Sequence, residues 1–166
     1  TLAGAGTIAL EWLAGPRFDV ALIPLGNGAL LNGIARVLKA AWPDVRVVAV
    51  QAAGAPAMVR SWRTRHLVAY DRIETIADGI GVRTPIQEAV EDMQGWVDDA
   101  ILVQEESIIQ AMRLVHRHAG LVAEPSAVVG IAALIEHQLA FAHARVATVL
   151  CGGNLTDEQV ARWLCG

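Results

Sequence analysis

Gly26-Asn27-Gly28-Ala29-Leu30 constrains this chain more than any other stretch, because of what flanks it. Ahead runs an apolar segment, Asp19 to Leu25. Behind runs a helical pattern, Leu31 to Trp42. A buried strand, a glycine-bearing turn and a helix N-terminus together make an anion site. Small residues admit close backbone approach, several N–H groups face outward unpaired, and the helix dipole adds positive potential. A phosphate suits such a turn best, although an ordinary tight strand-to-helix turn has the same local pattern.

Spacing narrows the choice of phosphate. No Gly-Lys-Ser or Gly-Lys-Thr follows the turn, so nothing is placed to hold a triphosphate and magnesium. The glycines at 26, 28 and 33 depart from Gly-x-Gly-x-x-Gly, whose last interval is shorter. The next apolar run, Val45 to Gln51, ends without the carboxylate that a dinucleotide ribose requires. A single terminal phosphate remains.

The chain alternates strand-like runs with helical patterns, the habit of a parallel sheet covered on both faces. Strand 19–25, helix 31–42 and strand 45–51 read as one βαβ unit. A short helix is expected over 7–14, others over 55–65 and 86–93, and an irregular stretch over 71–84. Strand 97–103 follows, then helix 105–118 with Glu105 and Glu106 in its first turn and Gly120 as its C-cap. An apolar helix is expected over 126–140, a third apolar strand over 145–150, and a last helix capped by Thr156. Two strands thus end in glycine-bearing turns, at 26 and 152. Parallel strands would bring both to one edge, where ligands bind in open α/β sheets.

Composition limits the partners. At 166 residues the chain has the size of one α/β domain. A net charge of -4 argues against nucleic acid. No apolar run reaches the ~18 residues of a membrane span. Hydrophobic residues make 54% of the chain and charged ones 18%, an apolar excess that a large core or a partner surface would absorb. Cys151 and Cys165 have no metal or redox spacing, and a reducing cytoplasm is the expected home.

Four blocks in order carry a resemblance: Gly26 to Ala35, Ala77-Asp78-Gly79, Ala123-Glu124-Pro125-Ser126, and Cys151-Gly152-Gly153-Asn154. The opening Gly4 to Glu11 adds to them. Together they resemble the second half of the fold-type-II pyridoxal-phosphate enzymes, the threonine/serine dehydratase and serine racemase group with its tryptophan synthase β-like, three-layer α/β large domain. The resemblance runs almost end to end. It implies that backbone N–H groups of Gly26, Asn27, Gly28, Ala29 and Leu30 cradle the 5′-phosphate of pyridoxal phosphate. Asn27 and Ala29 depart from the family's run of glycines. It further implies Gly79 along the cofactor ring, Glu124 near it, and Cys151 opposite the pyridine nitrogen. A neutral partner there does not force ring protonation, which suits loss of a β-substituent over transamination. Relatives with a divalent cation hold it through acidic residues after the strand matching 45–51. Here Gln51 to Ala57 contains no carboxylate, so no metal is expected.

A pyridoxal-phosphate enzyme also needs a lysine for its Schiff base. Lys39 is the chain's one lysine, late on helix 31–42, and reads as a solvated surface residue. The catalytic lysine and the substrate-carboxylate loop are therefore expected in an N-terminal half outside these residues. The chain reads as an incomplete large domain, inactive alone, with that half, an amino-acid substrate and a second copy in a homo-oligomer as its partners. His116 with His118, Asp98 with Asp99 and Glu105 with Glu106 read as solvated or helix-end charge. The expected activity is ammonia-lyase action on a β-hydroxy amino acid. The alternatives are racemisation on the same cofactor, or a stand-alone module that binds a phosphorylated metabolite.

Overall fold

A computed structural model describes residues 2–164. Cys165, considered above beside Cys151, lies outside the described residues. Four strands, β1 (Val20–Pro24), β2 (Arg46–Ala52), β3 (Asp99–Val103) and β4 (Val146–Thr148), form one sheet in the order β3-β2-β1-β4. All pairings are parallel, with Val20 opposite both Arg46 and Val146, and Val48 opposite Asp99.

Strand side chains alternate between two cores, as a period of two requires on a sheet buried from both sides. Val20, Leu22, Val48, Val50 and Val103 face one layer, with Ile108, Met112 and Val129. Ala21, Ile23, Val47, Ala49 and Ala100 face the other, with Leu31, Ile34, Leu38 and Met58. The first layer holds α5 (Glu105–Ala119), α6 (Val129–Glu136) and α8 (Asp157–Leu164). The second holds α2 (Ala29–Ala41), α3 (Ala57–Thr64) and α4 (Gln87–Trp96), with α1 (Leu2–Leu13) packed across α2. This is the expected three-layer α/β architecture.

Three elements differ from the sequence reading. Helix α1 begins at Leu2 rather than near Thr7. Gly4 and Gly6 weaken the helical signal there. Close packing outweighs that weakness: a Cβ on Gly33 would stand 2.5 Å from the Leu2 carbonyl oxygen and 2.7 Å from Ala5 Cβ. Gly33, third in the glycine series, therefore serves a helix crossing and not the phosphate turn. The helix expected over 126–140 is broken into a 3₁₀ turn at Pro125–Ala127, then α6, then a short α7 (Gln138–Phe141). Pro125 opens that turn, and His137, at φ -121° and ψ 38°, leaves helical geometry between α6 and α7. Segment 71–84 lacks strands but contains a 3₁₀ turn at Asp78–Ile80.

Other local readings hold. Gly120 caps α5 at φ +67°, its N–H donating to the His116 carbonyl. Thr156 and Gln159 form a reciprocal capping box on α8, Thr156 Oγ1 accepting from the Gln159 amide and Gln159 Oε1 from the Thr156 amide.

Candidate functional site

The strand order dictates where a ligand can enter. The chain leaves β1 through α2 on one face and reaches β4 from the helices of the other face, so the switch point lies between β1 and β4. At their carboxyl ends a crevice is expected. A cavity of about 510 Å³ opens there. Pro24, Gly26, Asn27, Gly28 and Leu30 line one side, and Gly79, Glu124, Ser126 and Cys151 another, with Ile80 and Val82 as apolar walls. Blocks far apart in sequence thus meet in one place. Glu124 is the cavity's one charged residue.

The turn at 26–30 is shaped for close approach. Gly28 stands at φ +92°, and a Cβ there would lie 3.2 Å from both Ala89 Cβ and Asn32 Nδ2. Gly26 runs against the 3₁₀ turn, its absent Cβ 3.3 Å from Ile80 Cα. Among the described residues, the amides of Gly26, Asn27 and Gly28 have no hydrogen-bond acceptor. Those donors and the first turn of α2 make an anion cradle. Ala29 departs from the expected set: it does not line the cavity, and its N–H donates to Asn27 Oδ1 at 3.2 Å. Below the turn, buried Asn32 donates to the Ala89 carbonyl at 2.9 Å and ties α2 to α4.

On the facing wall, the Glu124 carboxylate fills the space over Gly152, where a Cβ would meet Oε1 at 2.5 Å. Its Oε2 accepts from the Asn154 amide, and the Glu124 amide donates to the Gly152 carbonyl. This is why glycine follows Cys151. Cys151 is a free cysteine at the cavity's mouth. Crowding around its sulfur pushes the thiol's pKa above its ordinary value, and Glu124's negative charge acts in the same direction. A backbone hydrogen bond pulls partly back. The thiol is therefore neutral at physiological pH.

Sequence reasoning missed Ser126 as an individual site residue. It is 2% exposed, and its Oγ has no hydrogen-bond partner among the described residues, an uncommon state for a buried hydroxyl. The same Oγ lies 2.8 Å from where a Gly79 Cβ would be. Its one signal in the sequence is a hydroxyl residue between Pro125 and an apolar helix.

Two expectations about charge are corrected. Glu105 is not a solvated helix-start residue: its Oε2 accepts from the Ile76 amide at 2.8 Å and anchors the segment that carries Gly79. Lys39 is not a solvated surface lysine either. Its side chain is 16% exposed and pairs with Asp98 at 2.6 Å. That pair lies at the carboxyl end of α2, at the sheet edge opposite the cavity.

A family model described as pyridoxal-phosphate dependent enzyme matches residues 1–152. The chain belongs to this family. The L-threonine ammonia-lyase of Thermotoga maritima is 34% identical over 162 residues, covering 97% of the chain and 40% of that relative. Among solved structures, the T.th. threonine deaminase superimposes with a TM-score of 0.87 at 31% identity, covering 93% of the chain and 58% of that structure. Maize serine racemase gives a TM-score of 0.89 at 26% identity, covering 97% of the chain and 50% of that structure. The chain thus spans about half or less of the curated relatives it matches. No helix among the described residues is long and apolar enough to cross a membrane.

Proposed function

We propose that these residues form the cofactor-phosphate side of a pyridoxal-phosphate ammonia-lyase that converts a β-hydroxy amino acid, serine or threonine in class, to a 2-oxo acid and ammonia. One observation carries the reading. A single switch-point cavity joins an anion-accepting turn to a neutral thiol, with one carboxylate as its only charge. The residues fit the cofactor: unpaired amides at 26–28 for the phosphate, a glycine at 79 that brings bare backbone to the cavity wall close against Ser126 and Glu124, and an orphaned hydroxyl at Ser126. When bound, pyridoxal phosphate supplies an electron sink that lets an amino acid give up its α-proton.

In this reading Gly26 to Leu30 hold the phosphate, and Gly79 admits the ring face. Glu124 orders the polar surroundings, and Cys151 offers the ring nitrogen a neutral partner. An uncharged thiol there would not hold a proton on that nitrogen, a setting suited to β-elimination. Lys39, ion-paired at the opposite edge, takes no part. The Schiff-base lysine and the substrate-carboxylate contacts come from residues outside 1–166, and the chain is part of one larger α/β domain. A reducing cytoplasm is the proposed setting, in keeping with a free thiol at the site. Likeness to a serine racemase keeps racemisation as the second reading.

The test uses the full polypeptide carrying this chain. Visible yellow absorbance after purification, with 2-oxo acid release from serine or threonine, is the expected result. Interconversion of D- and L-serine without 2-oxo acid would replace lyase by racemase. Absence of both the absorbance and turnover would overturn the proposal.

A further inference from the structure

Asn27 departs from a turn made of small residues, and its side chain is engaged. Its Oδ1 accepts the Ala29 N–H at 3.2 Å, at the first residue of the 13-residue α2. That N–H is one of the donors a helix N-terminus leaves for an anion. The neighbouring amides of Gly26, Asn27 and Gly28 have no acceptor among the described residues, and across the cavity the buried Ser126 Oγ also lacks a partner. The site is therefore built for a polar ligand and filled at one donor by its own side chain. Asn27 is exposed, so its amide can rotate out of the turn without disturbing the core.

We propose that Asn27 is a built-in competitor for the phosphate, its amide oxygen occupying the α2 N-terminus until a phosphate monoester displaces it, so that this residue lowers the affinity for phosphorylated ligands. The proposal rests on the reading of the cavity as the cofactor-phosphate site. It concerns affinity alone. The carbonyl oxygen of an amide is a weaker acceptor than a phosphate oxygen, so displacement is favourable. Breaking one amide hydrogen bond subtracts from the gain by about the net worth of such a bond.

The experiment titrates cofactor-free full polypeptide with pyridoxal phosphate, inorganic phosphate and pyridoxal, following tryptophan fluorescence. Asn27→Gly is expected to bind pyridoxal phosphate and inorganic phosphate roughly threefold to tenfold more tightly, the span corresponding to one released hydrogen bond. Asn27→Asp, which keeps the capping oxygen and adds charge, is expected to bind both at least about tenfold more weakly. Pyridoxal, which has no phosphate, should bind all three proteins alike. Asn27→Ala provides a second removal of the oxygen should the glycine variant fold poorly. Unchanged or weaker phosphate binding in both Asn27→Gly and Asn27→Ala, with pyridoxal phosphate still bound by the unaltered protein, overturns the role of Asn27 and leaves the site reading intact. If no protein in the series binds pyridoxal phosphate or phosphate, the site reading fails and the inference with it.

Discussion

At the scale of single residues, the site is made mostly of what side chains leave free. Gly79 is the clearest case. A Cβ there would stand 2.8 Å from Ser126 Oγ and 3.2 Å from Glu124 Oε1, so both polar groups of the facing wall would have to shift. Gly79→Ala is expected to weaken pyridoxal phosphate binding by about tenfold with a stability loss near ~1 kcal/mol, read by cofactor titration and thermal melting. An unaltered affinity would remove Gly79 from the ring-facing surface. The thiol invites a second test. Because burial and then Glu124 hold its pKa up, Cys151 should alkylate slowly at about pH 8 and faster as pH rises. Removing the charge by Glu124→Gln lowers the thiol pKa, so alkylation at fixed pH should speed up; a slower reaction would contradict the sign. Legibility follows the same division. Gly26 and Gly28 are marked in the sequence by a strand end followed by a helix, whereas Gly79, Glu124 and Cys151 are singled out only through the family resemblance of their blocks; all five line the cavity. The engagement of Asn27, the orphaned Ser126 hydroxyl and the anchoring by Glu105 could not be placed from the sequence, since each depends on a partner distant in space or on a rotamer.

At the scale of elements, sequence patterns located the strands within about two residues because burial on both faces leaves long apolar runs. They failed where packing overrules propensity. Helix α1 forms through Gly4 and Gly6 because α2 accepts it at Gly33, a contact invisible to any local window. Gly33→Ala should therefore part the two helices. A Cβ 2.5 Å from the Leu2 oxygen and 2.7 Å from Ala5 Cβ cannot be absorbed by a flexible side chain, because one neighbour is backbone and the other a Cβ. A loss of about 1–3 kcal/mol is expected, seen as a fall in melting temperature of several degrees. Gly33 faces α1 and not the cavity, so phosphate affinity should change little. A large loss of affinity with little loss of stability would return Gly33 to the phosphate turn.

At the scale of the whole molecule, the ion pairs and the cavity occupy opposite edges of the sheet. All four ion pairs among the described residues lie where strands begin: Arg17 with Asp44, Lys39 with Asp98, Arg46 with Asp99, and Arg145 with Asp19. The carboxyl edge instead presents neutral amides, a thiol, a hydroxyl and the Glu124 carboxylate, so an incoming phosphate would meet dipoles and no fixed cation. Lys39 makes this separation testable, because it is the chain's only lysine and so its only candidate for a covalent link to the cofactor. Its Nζ holds Asp98, whose same oxygen accepts the Val47 amide and so ties the start of β3 to β2. Lys39→Met keeps the aliphatic stem and removes the charge. Asp98 retains its amide partner and solvent, so the expected cost is about 1 kcal/mol, a melting shift of a few degrees. Cofactor affinity should stay as it was, and borohydride reduction of the full polypeptide should attach as much pyridoxal phosphate to the Lys39→Met variant as to the unaltered protein. Loss of the attached cofactor would mean that the amino-terminal edge takes part in the chemistry, and the division of labour across the sheet would fall.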